Sequence, residues 1–384
     1  MTSHPSIAIV GGGPAGLTLA RILHRAGIAA TVFEREAGPL ERPQGGTLDL
    51  HPESGLLAVE RAALGAEFQR IARYDDQGTR VLDKRGRVLF EDVEAVGQNR
   101  PEVDRTALRA MLLDALPADA VRWGCALSDV LRLDDGRWNL VFADGDAGSF
   151  DLVVGADGAW SQVRPLLSHY QPQYSGLTFI EFGIDDVDAR HPALSRLVGH
   201  GKLEAHGDGI EIIAQRNGNA HIRGYAIFRV PPDWAAKRFD LASPAAVRAA
   251  LIEEFAGYAD DITDLFRAAN DHFVARQICA LPVGHRWTHQ RGLTLIGDAA
   301  HVMSPFGGEG VNAAMLDAAE LARALIEHDD WAAAVAASER AMFERVIDAA
   351  AGSAEGAATL LSHVGAELAV EHMKSHLSEA LHAG

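Results

Sequence analysis

The stretch IAIVGGGPAGLTLARIL, residues 7–23, decides the fold. Ile7 to Val10 form a short apolar run, as expected of a strand buried on both faces. Gly11-x-Gly13-x-x-Gly16 follows at once, and Leu17, Leu19, Ala20, Ile22 and Leu23 continue with helical character. Strand, glycine turn and helix are the context that a phosphate-cradling fingerprint requires. Gly11 permits the tight turn, Gly13 lets the backbone approach a pyrophosphate, and Gly16 lets helix and strand pack closely. Free N–H groups and a partial positive charge at the helix start favour an anion. A second apolar stretch, Ala29 to Phe33, ends at Glu34. An acid there accepts hydrogen bonds from a ribose diol and repels a 2′-phosphate. The motif alone does not separate NAD from FAD.

Two later segments repeat the theme. In LVVGADGAWSQVR, Leu152–Arg164, an apolar strand leads into Gly155-x-Asp157-Gly158, then Ser161 and Arg164. An Asp-Gly turn after a strand is common by itself. In LTLIGDAAH, Leu293–His301, Ile296 ends a strand and Gly297-Asp298 follows, an aspartate placed to hold a ribityl or ribose hydroxyl. Pro305 then precedes Gly307, Gly308 and Gly310, and Val311-Asn312 opens a helix expected over 311–328. Amides at that helix start are suited to the electron-rich N1/O2 edge of a flavin, where fixed dipoles stabilise a reduced, anionic ring. Three such segments together point to one flavin dinucleotide held from several parts of the chain.

The ordered set GxGxxG, Gly-Ala-Asp-Gly and Gly-Asp-Ala-Ala-His…Pro…Gly-x-Gly-x-Asn resembles the group A flavoprotein monooxygenases, the para-hydroxybenzoate hydroxylase-like family. Within it, Gly45–His51, Pro101–Arg109 and Gly297–Asn312 resemble the tetracycline-inactivating branch. The resemblance spans Ile7 to about Asn312 and implies FAD as cofactor. It implies Gly11, Gly13, Ala15 and Gly16 on the pyrophosphate, Glu34 on the adenosine ribose and Arg35 beside the adenine. Asp49 and Arg105 would sit on the middle of the flavin, with Leu127 among the cofactor contacts. Asp298 would contact the ribityl–phosphate region. Pro305, Gly308, Gly310, Val311 and Asn312 would line the isoalloxazine. Asp157 would support the cofactor site, and Arg42 matches a position linked to NADPH approach. The activity implied is an NAD(P)H-consuming hydroxylase acting through a flavin C4a-hydroperoxide, with NADPH or NADH docking transiently.

The whole chain sets bounds. Its 384 residues suggest two lobes. A net charge of −18 makes nucleic acid and anionic membranes poor partners. Cys125 and Cys279 form neither a disulfide framework nor a metal spacing, which fits a reducing cytoplasm, and no metal is expected. No signal peptide or spanning segment is visible, and a cytoplasmic monomer is expected. No Ser/His/Asp set or carboxylate dyad stands out, as suits an enzyme whose cofactor does the hard chemistry.

The expected fold is α/β: a Rossmann-like FAD-binding domain (1–70, 101–170, 276–325), an inserted β-sheet substrate domain (71–100, 171–275) and a C-terminal helical segment (326–384) with a bridging helix. Leu108, Met111, Leu112 and Ala115 predict a helix over 104–116, and Val335, Met342, Phe343, Val346 and Ile347 give the alanine-rich tract 332–358 an apolar stripe. Val81-Leu82 and Val88–Phe90 flank a hairpin turn at 83–87. Leu177–Ile184, Ile210–Ala214 and His221–Val230 read as strands of the same sheet, with a turn at Arg216–Asn219.

Glu181, Phe182, Glu211, Ile213 and Arg223 are candidate lid residues, with Phe306 and Gly307 beside the ring, for O2 and a small aromatic or polyketide-like substrate. The tetracycline-inactivating branch uses a polar amide and an arginine where Glu181 and Glu211 fall, and glutamine where Glu309 stands. A phenol, polyketide or quinolone-like aromatic is therefore as well suited as a tetracycline. His301 is read as structural. A flavin reductase or dehydrogenase and a non-catalytic flavin binder are the alternatives. A halogenase lacks support, since the W-x-W-x-I-P motif is absent.

Overall fold

The computed structural model describes residues 4–39, 41, 45–92, 99–143, 145–359, 361–362, 365, 367–371 and 373–374. The chain divides into two compact units. One comprises Met1–Ile71, Arg105–Gln173 and Cys279–Ala354; the other comprises Ala72–Asp104, Tyr174–Ile278 and Glu355–Gly384. The C-terminal segment expected from residue 326 is thus shared: the helix Trp331–Thr359 belongs to the first unit up to Ala354. Its Met342 and Val346 join the first unit's core, and Phe343 meets Trp287 edge-on at 4.7 Å.

The first unit is built on a five-stranded sheet in the order Leu293–Leu295, Leu152–Gly155, Ile7–Val10, Ala30–Phe33, Val121–Arg122. Every pairing is parallel. Ile7 to Val10 and Leu152 to Gly155 are buried throughout, which is why their sequences are apolar runs without alternation. A three-stranded antiparallel sheet, Leu127–Arg132, Trp138–Phe142 and Gly145–Phe150, also belongs to this unit. Phe142 stacks on Phe33 at 5.1 Å. Sequence reading had missed this small sheet.

The second unit is a seven-stranded sheet in the order Val274–Ala280, Gln173–Ile184, His221–Arg229, Ile210–Asn217, Gly201–Gly207, Gly78–Asp83, Val88–Asp92. The strand Gly201–Gly207 was not foreseen. It pairs in parallel with Gly78–Asp83 and so joins the two expected groups of strands. The predicted turn at 216–219 is observed at 218–220, since Arg216 and Asn217 stay in the strand while Asn219 and Ala220 take positive φ. On one face Leu82, Ile180, Phe182, Leu203, Ile212, Ile222 and Phe228 pack with Val198, Val247, Leu251, Leu265 and Phe266 of the covering helices. The other face carries Glu181, Glu204, His206, Glu211, Ile213, Arg223 and Tyr225, set by period-two alternation. This mixed α/β architecture has the Rossmann-like sheet and the separate sheet unit that the sequence led one to expect.

Candidate active site

In the first unit the glycines are of two kinds. At Gly11, φ is +111° and a Cβ would lie 2.3 Å from Ala156 O; at Gly16 it would lie 2.1 Å from Gly11 O. These two let the chain close on itself. At Gly13 and Gly310 a Cβ would meet nothing within 4 Å, so these leave open space beside a helix start. The helices Pro14–Arg25 and Glu309–Glu327 both begin without a side-chain cap, on Gly13 and Gly308 respectively. Uncapped first-turn amides next to vacant space are suited to a phosphate or a ring oxygen. Gly297 brings the two starts together: a Cβ there would lie 3.0 Å from Ala314 Cβ and 3.4 Å from Ala15 Cβ. These residues fit a bound dinucleotide.

Glu34 sits at the end of its strand, buried, with Oε2 accepting from Gly12 N (2.6 Å) and Oε1 from Glu36 N (3.0 Å). Each oxygen keeps a lone pair for a ribose hydroxyl. Arg109, quoted in the family motif but given no role, clamps this corner. It donates to Gly12 O (3.0 Å) and Glu36 Oε2 (2.8 Å), with Glu34 Oε2 4.0 Å away. The signal was present: Arg109 is a charge among the buried residues Leu108, Met111 and Leu112 of one helix. Arg35 is exposed. Leu127 is half-buried and packs against the first unit's core. Arg42 lies outside the described residues.

Asn312 is fully buried and ties the glycine loop to a segment 260 residues earlier. Its Oδ1 accepts from His51 N (2.9 Å); its Nδ2 donates to Asp49 O (3.0 Å) and Gly308 O (3.3 Å). His51 Nε2 lies 2.9 Å from Asp49 Oδ2. Arg105 N donates to Gly46 O at 3.1 Å. Asp49, Arg105, Gly308 and Asn312 are thus brought into one neighbourhood, while Pro305, Gly307 and Gly308 stay exposed and Phe306 and Val311 half-buried.

Asp298 is exposed at the start of a single helical turn, Asp298–His301. Asp157 accepts from Gln162 N at 2.7 Å, and burial raises its carboxyl above the ordinary range. Arg164, almost wholly buried, donates to Ala299 O (3.0 Å) and Ala159 O (2.6 Å), which joins the Asp-Gly turn to the Asp298 turn. His301 is buried and paired with an aspartate. Its Nε2 lies 2.5 Å from Asp317 Oδ2, which also accepts from Gly297 N, while Arg345 donates to Oδ1 at 2.7 Å. Burial alone would lower the His301 pKa, but the Asp317 charge holds it above the usual value.

In the second unit, one expected lid residue is corrected. Phe182 points into the helix-covered core, 5.2 Å from the Phe266 ring, and its ring fills the space a side chain at position 224 would need. Alternation forces this: Glu181 and Phe182 are neighbours and must face opposite ways. Glu181 is buried and paired with Arg276, with Arg223 4.0 Å away. Ile213 and Arg223 are half-buried on the same face. Glu211 is 0% exposed, so it presents no surface to a substrate here. Burial pushes its carboxyl up to about 8, against the pull of His206.

Parallel strands followed by uncapped helix starts, a buried acid at a strand end and an open glycine loop are the features of a dinucleotide-binding fold. Residues 5–337 match the FAD binding domain family. The monooxygenase penA of Penicillium thymicola is 35% identical, over 84% of this chain and 85% of its own length. The crystal structure of Klebsiella pneumoniae HpxO complexed with FAD and uric acid has the same fold, with a TM-score of 0.79 at 22% identity over 98% of this chain and 92% of that one. The tetracycline destructase Tet(51) crystal structure has a TM-score of 0.71 at 20% identity over 98% and 97%. The chain belongs to the group A FAD-dependent monooxygenase family and is an FAD-dependent monooxygenase. Among the described residues no helix is long and apolar enough to cross a membrane.

Proposed function

We propose that this monooxygenase consumes NADPH or NADH and places one atom of O2 on an aromatic or polyketide-like small molecule, the other leaving as water. The observation that carries the reading is the Asn312 junction. It fixes the open side of the glycine loop beside Asp49 with every polar atom of the amide bonded to backbone. FAD, when bound, supplies the hydride acceptor and the oxygen chemistry. The chain's own residues bind and orient it. The amides around Gly13, Ala15 and Gly16 take the pyrophosphate, and Glu34 takes the adenosine ribose, with Arg35 at the adenine edge. Asp49, Arg105 and Asp298 take the middle portion, with Leu127 and Asp157 supporting the site. Pro305, Gly308, Gly310, Val311 and Asn312 line the ring, where the helix-start amides hold negative charge on its N1/O2 edge.

Glu181, Ile213 and Arg223 on the sheet face, with Phe306 and Gly307 of the glycine loop, are the residues proposed to meet the substrate. Glu211, which is enclosed, is left out. Uric acid in HpxO and the tetracycline destructases illustrate what this fold accommodates; neither is assigned to this chain.

The test is the visible spectrum of the purified protein, then NADPH and NADH oxidation and O2 uptake with phenols, quinolones and tetracyclines. Flavin bands, with one compound accelerating nicotinamide oxidation and emerging one oxygen heavier, are the expected result. Nicotinamide oxidation that no compound couples to oxygenated product would overturn the substrate class. A colourless protein that does not take up added FAD would overturn the site assignment.

A further inference from the structure

The hairpin of Gly201–Gly207 and Ile210–Asn217 carries three buried acid or imidazole side chains, Glu204, His206 and Glu211, that the flavin reading does not use. Alternation sends Leu203, Ala205 and Ile212 into the helix-side core and leaves Lys202, Glu204, His206 and Glu211 on the other face. The register pairs His206 directly with Glu211, across a two-residue turn in which Asp208 and Gly209 both take positive φ. Such a turn holds the two strands in one register. The hydroxyl of Tyr258 adds to this, lying 2.7 Å from Gly207 O and 2.8 Å from Ile210 O.

The three side chains are 5%, 5% and 0% exposed. His206 Nε2 lies 3.5 Å from Glu204 Oε2 and 3.5 Å from Glu211 Oε1. Lys202 Nζ, 2.6 Å from Glu204 Oε1, offsets one carboxylate and leaves Oε2 facing the histidine. Among the described residues, neither oxygen of Glu211 nor His206 Nε2 has a hydrogen-bond partner. A buried carboxylate without hydrogen bonds is costly, and side chains of this kind are normally satisfied by a donor, a proton or a cation. Here three ligand-type atoms converge, all within 4.8 Å of one another, and two of them lack partners.

We propose that Glu204, His206 and Glu211 bind one divalent transition-metal ion, best matched by Zn2+, which pins the hairpin and compensates Glu211. One imidazole and two carboxylates are a donor set that zinc accepts, with a fourth position left for water. With bonds of about 2.1 Å, the edge of a tetrahedral site is about 3.4 Å. The two measured histidine–carboxylate separations are 3.5 Å. No spacing rule signals the site, because two ligands stand at i and i+2 of one strand and the third reaches them through cross-strand register. The proposal is independent of the flavin assignment.

The full-length protein, stripped with chelator, is titrated with Zn2+ and separately with Co2+, while bound FAD is read from its visible bands. One Zn2+ per chain retained through gel filtration is expected, with a tetrahedral Co2+ band at longer wavelength than the flavin and a higher melting temperature with Zn2+. Glu211→Gln and His206→Asn are each expected to weaken Zn2+ binding at least tenfold with FAD content unchanged. Absence of stoichiometric Zn2+ from the wild type overturns the proposal. So does equal uptake by both variants, which places the metal on other histidines. Should a variant fail to fold by circular dichroism, the wild-type stoichiometry and Co2+ band decide alone.

Discussion

The two units weight buried polarity differently, although both pair charges, as Asp317 does with His301 and Arg345 in the first. In the first, Glu34, Asn312 and Asp317 all receive backbone N–H donors, and Arg109 donates to a backbone carbonyl. In the second, charges on the sheet face pair with one another, Glu181 with Arg276 and Glu204 with Lys202, while His206 Nε2 and the Glu211 carboxyl are left without hydrogen bonds among the described residues. Side chains bonded to backbone hold the chain in the shape a cofactor needs, and each is costly to change. Side chains bonded to side chains can be exchanged in pairs while the strands beneath them stay put. The first arrangement suits a ligand that never varies, and the second suits the substrate-facing role proposed above for that sheet.

The largest effect that can break this comparison lies in the second unit. Phe182→Ala removes a fully buried ring and is expected to cost about 3–5 kcal/mol by denaturant titration, with FAD affinity little changed. A parallel loss of FAD would mean that the two units are not separable in this way. Asn312→Ala is the counterpart in the first unit. It strands His51 N–H, Asp49 O and Gly308 O, so about 2–3 kcal/mol and at least a tenfold loss of FAD affinity are expected in a fluorescence titration. An unchanged FAD affinity would remove the junction from the site.

The His301–Asp317 pair sharpens the contrast through pH. The native Asp317 carboxyl is held below 3.8: burial alone would raise it, but the charges of His301 and Arg345 outweigh that. Its stabilisation is therefore present above about pH 4 and lost as pH falls through the native value. The native His301 is held above 6.5, so its share is full below about pH 6.5 and lost as pH rises through its native value. Asp317→Asn should flatten the acid limb of the melting temperature below about pH 4 and the alkaline limb above about pH 6.5; an unaltered profile would show that the pair does not couple to folding. The smallest effect is expected at an exposed side-chain pair. Lys84→Ala, which removes a 2.7 Å ion pair with Asp208, should change stability by no more than about 0.5 kcal/mol. A larger loss would show that the hairpin turn at Asp208 relies on that contact.

Much of the first unit was readable because its constraints are local. Gly16 is required where a Cβ would strike Gly11 O within the same motif, and Gly11 takes a φ of +111° that favours glycine. Glu34 follows a strand whose end the apolar run marks. The helices Arg105–Asp114 and Glu309–Glu327 lie within a few residues of the ranges that their spacing predicted. Arg109 and His51 were in view but had no role, because their partners, Gly12, Glu36 and Asn312, are remote in the chain. On the sheet, the expected lid residues did not follow alternation: Glu181, Glu211, Ile213 and Arg223 share one face, and Phe182 is excluded once Glu181 is placed.

From the sequence alone came the dinucleotide-binding architecture, since glycine patterns and strand–turn–helix order are short-range consequences of sterics and helix dipoles, and its motif set carried the resemblance that implied the family and its cofactor. Only the tertiary structure decided which distant groups meet. It put Asn312 on His51, Arg109 against Glu36, and His206 between Glu204 and Glu211. Those meetings depend on strand order and register, and the parallel strand Gly201–Gly207 that sets the last of them has no local signature. Its place follows from the burial of Leu203 and Ala205 against helices elsewhere in the chain.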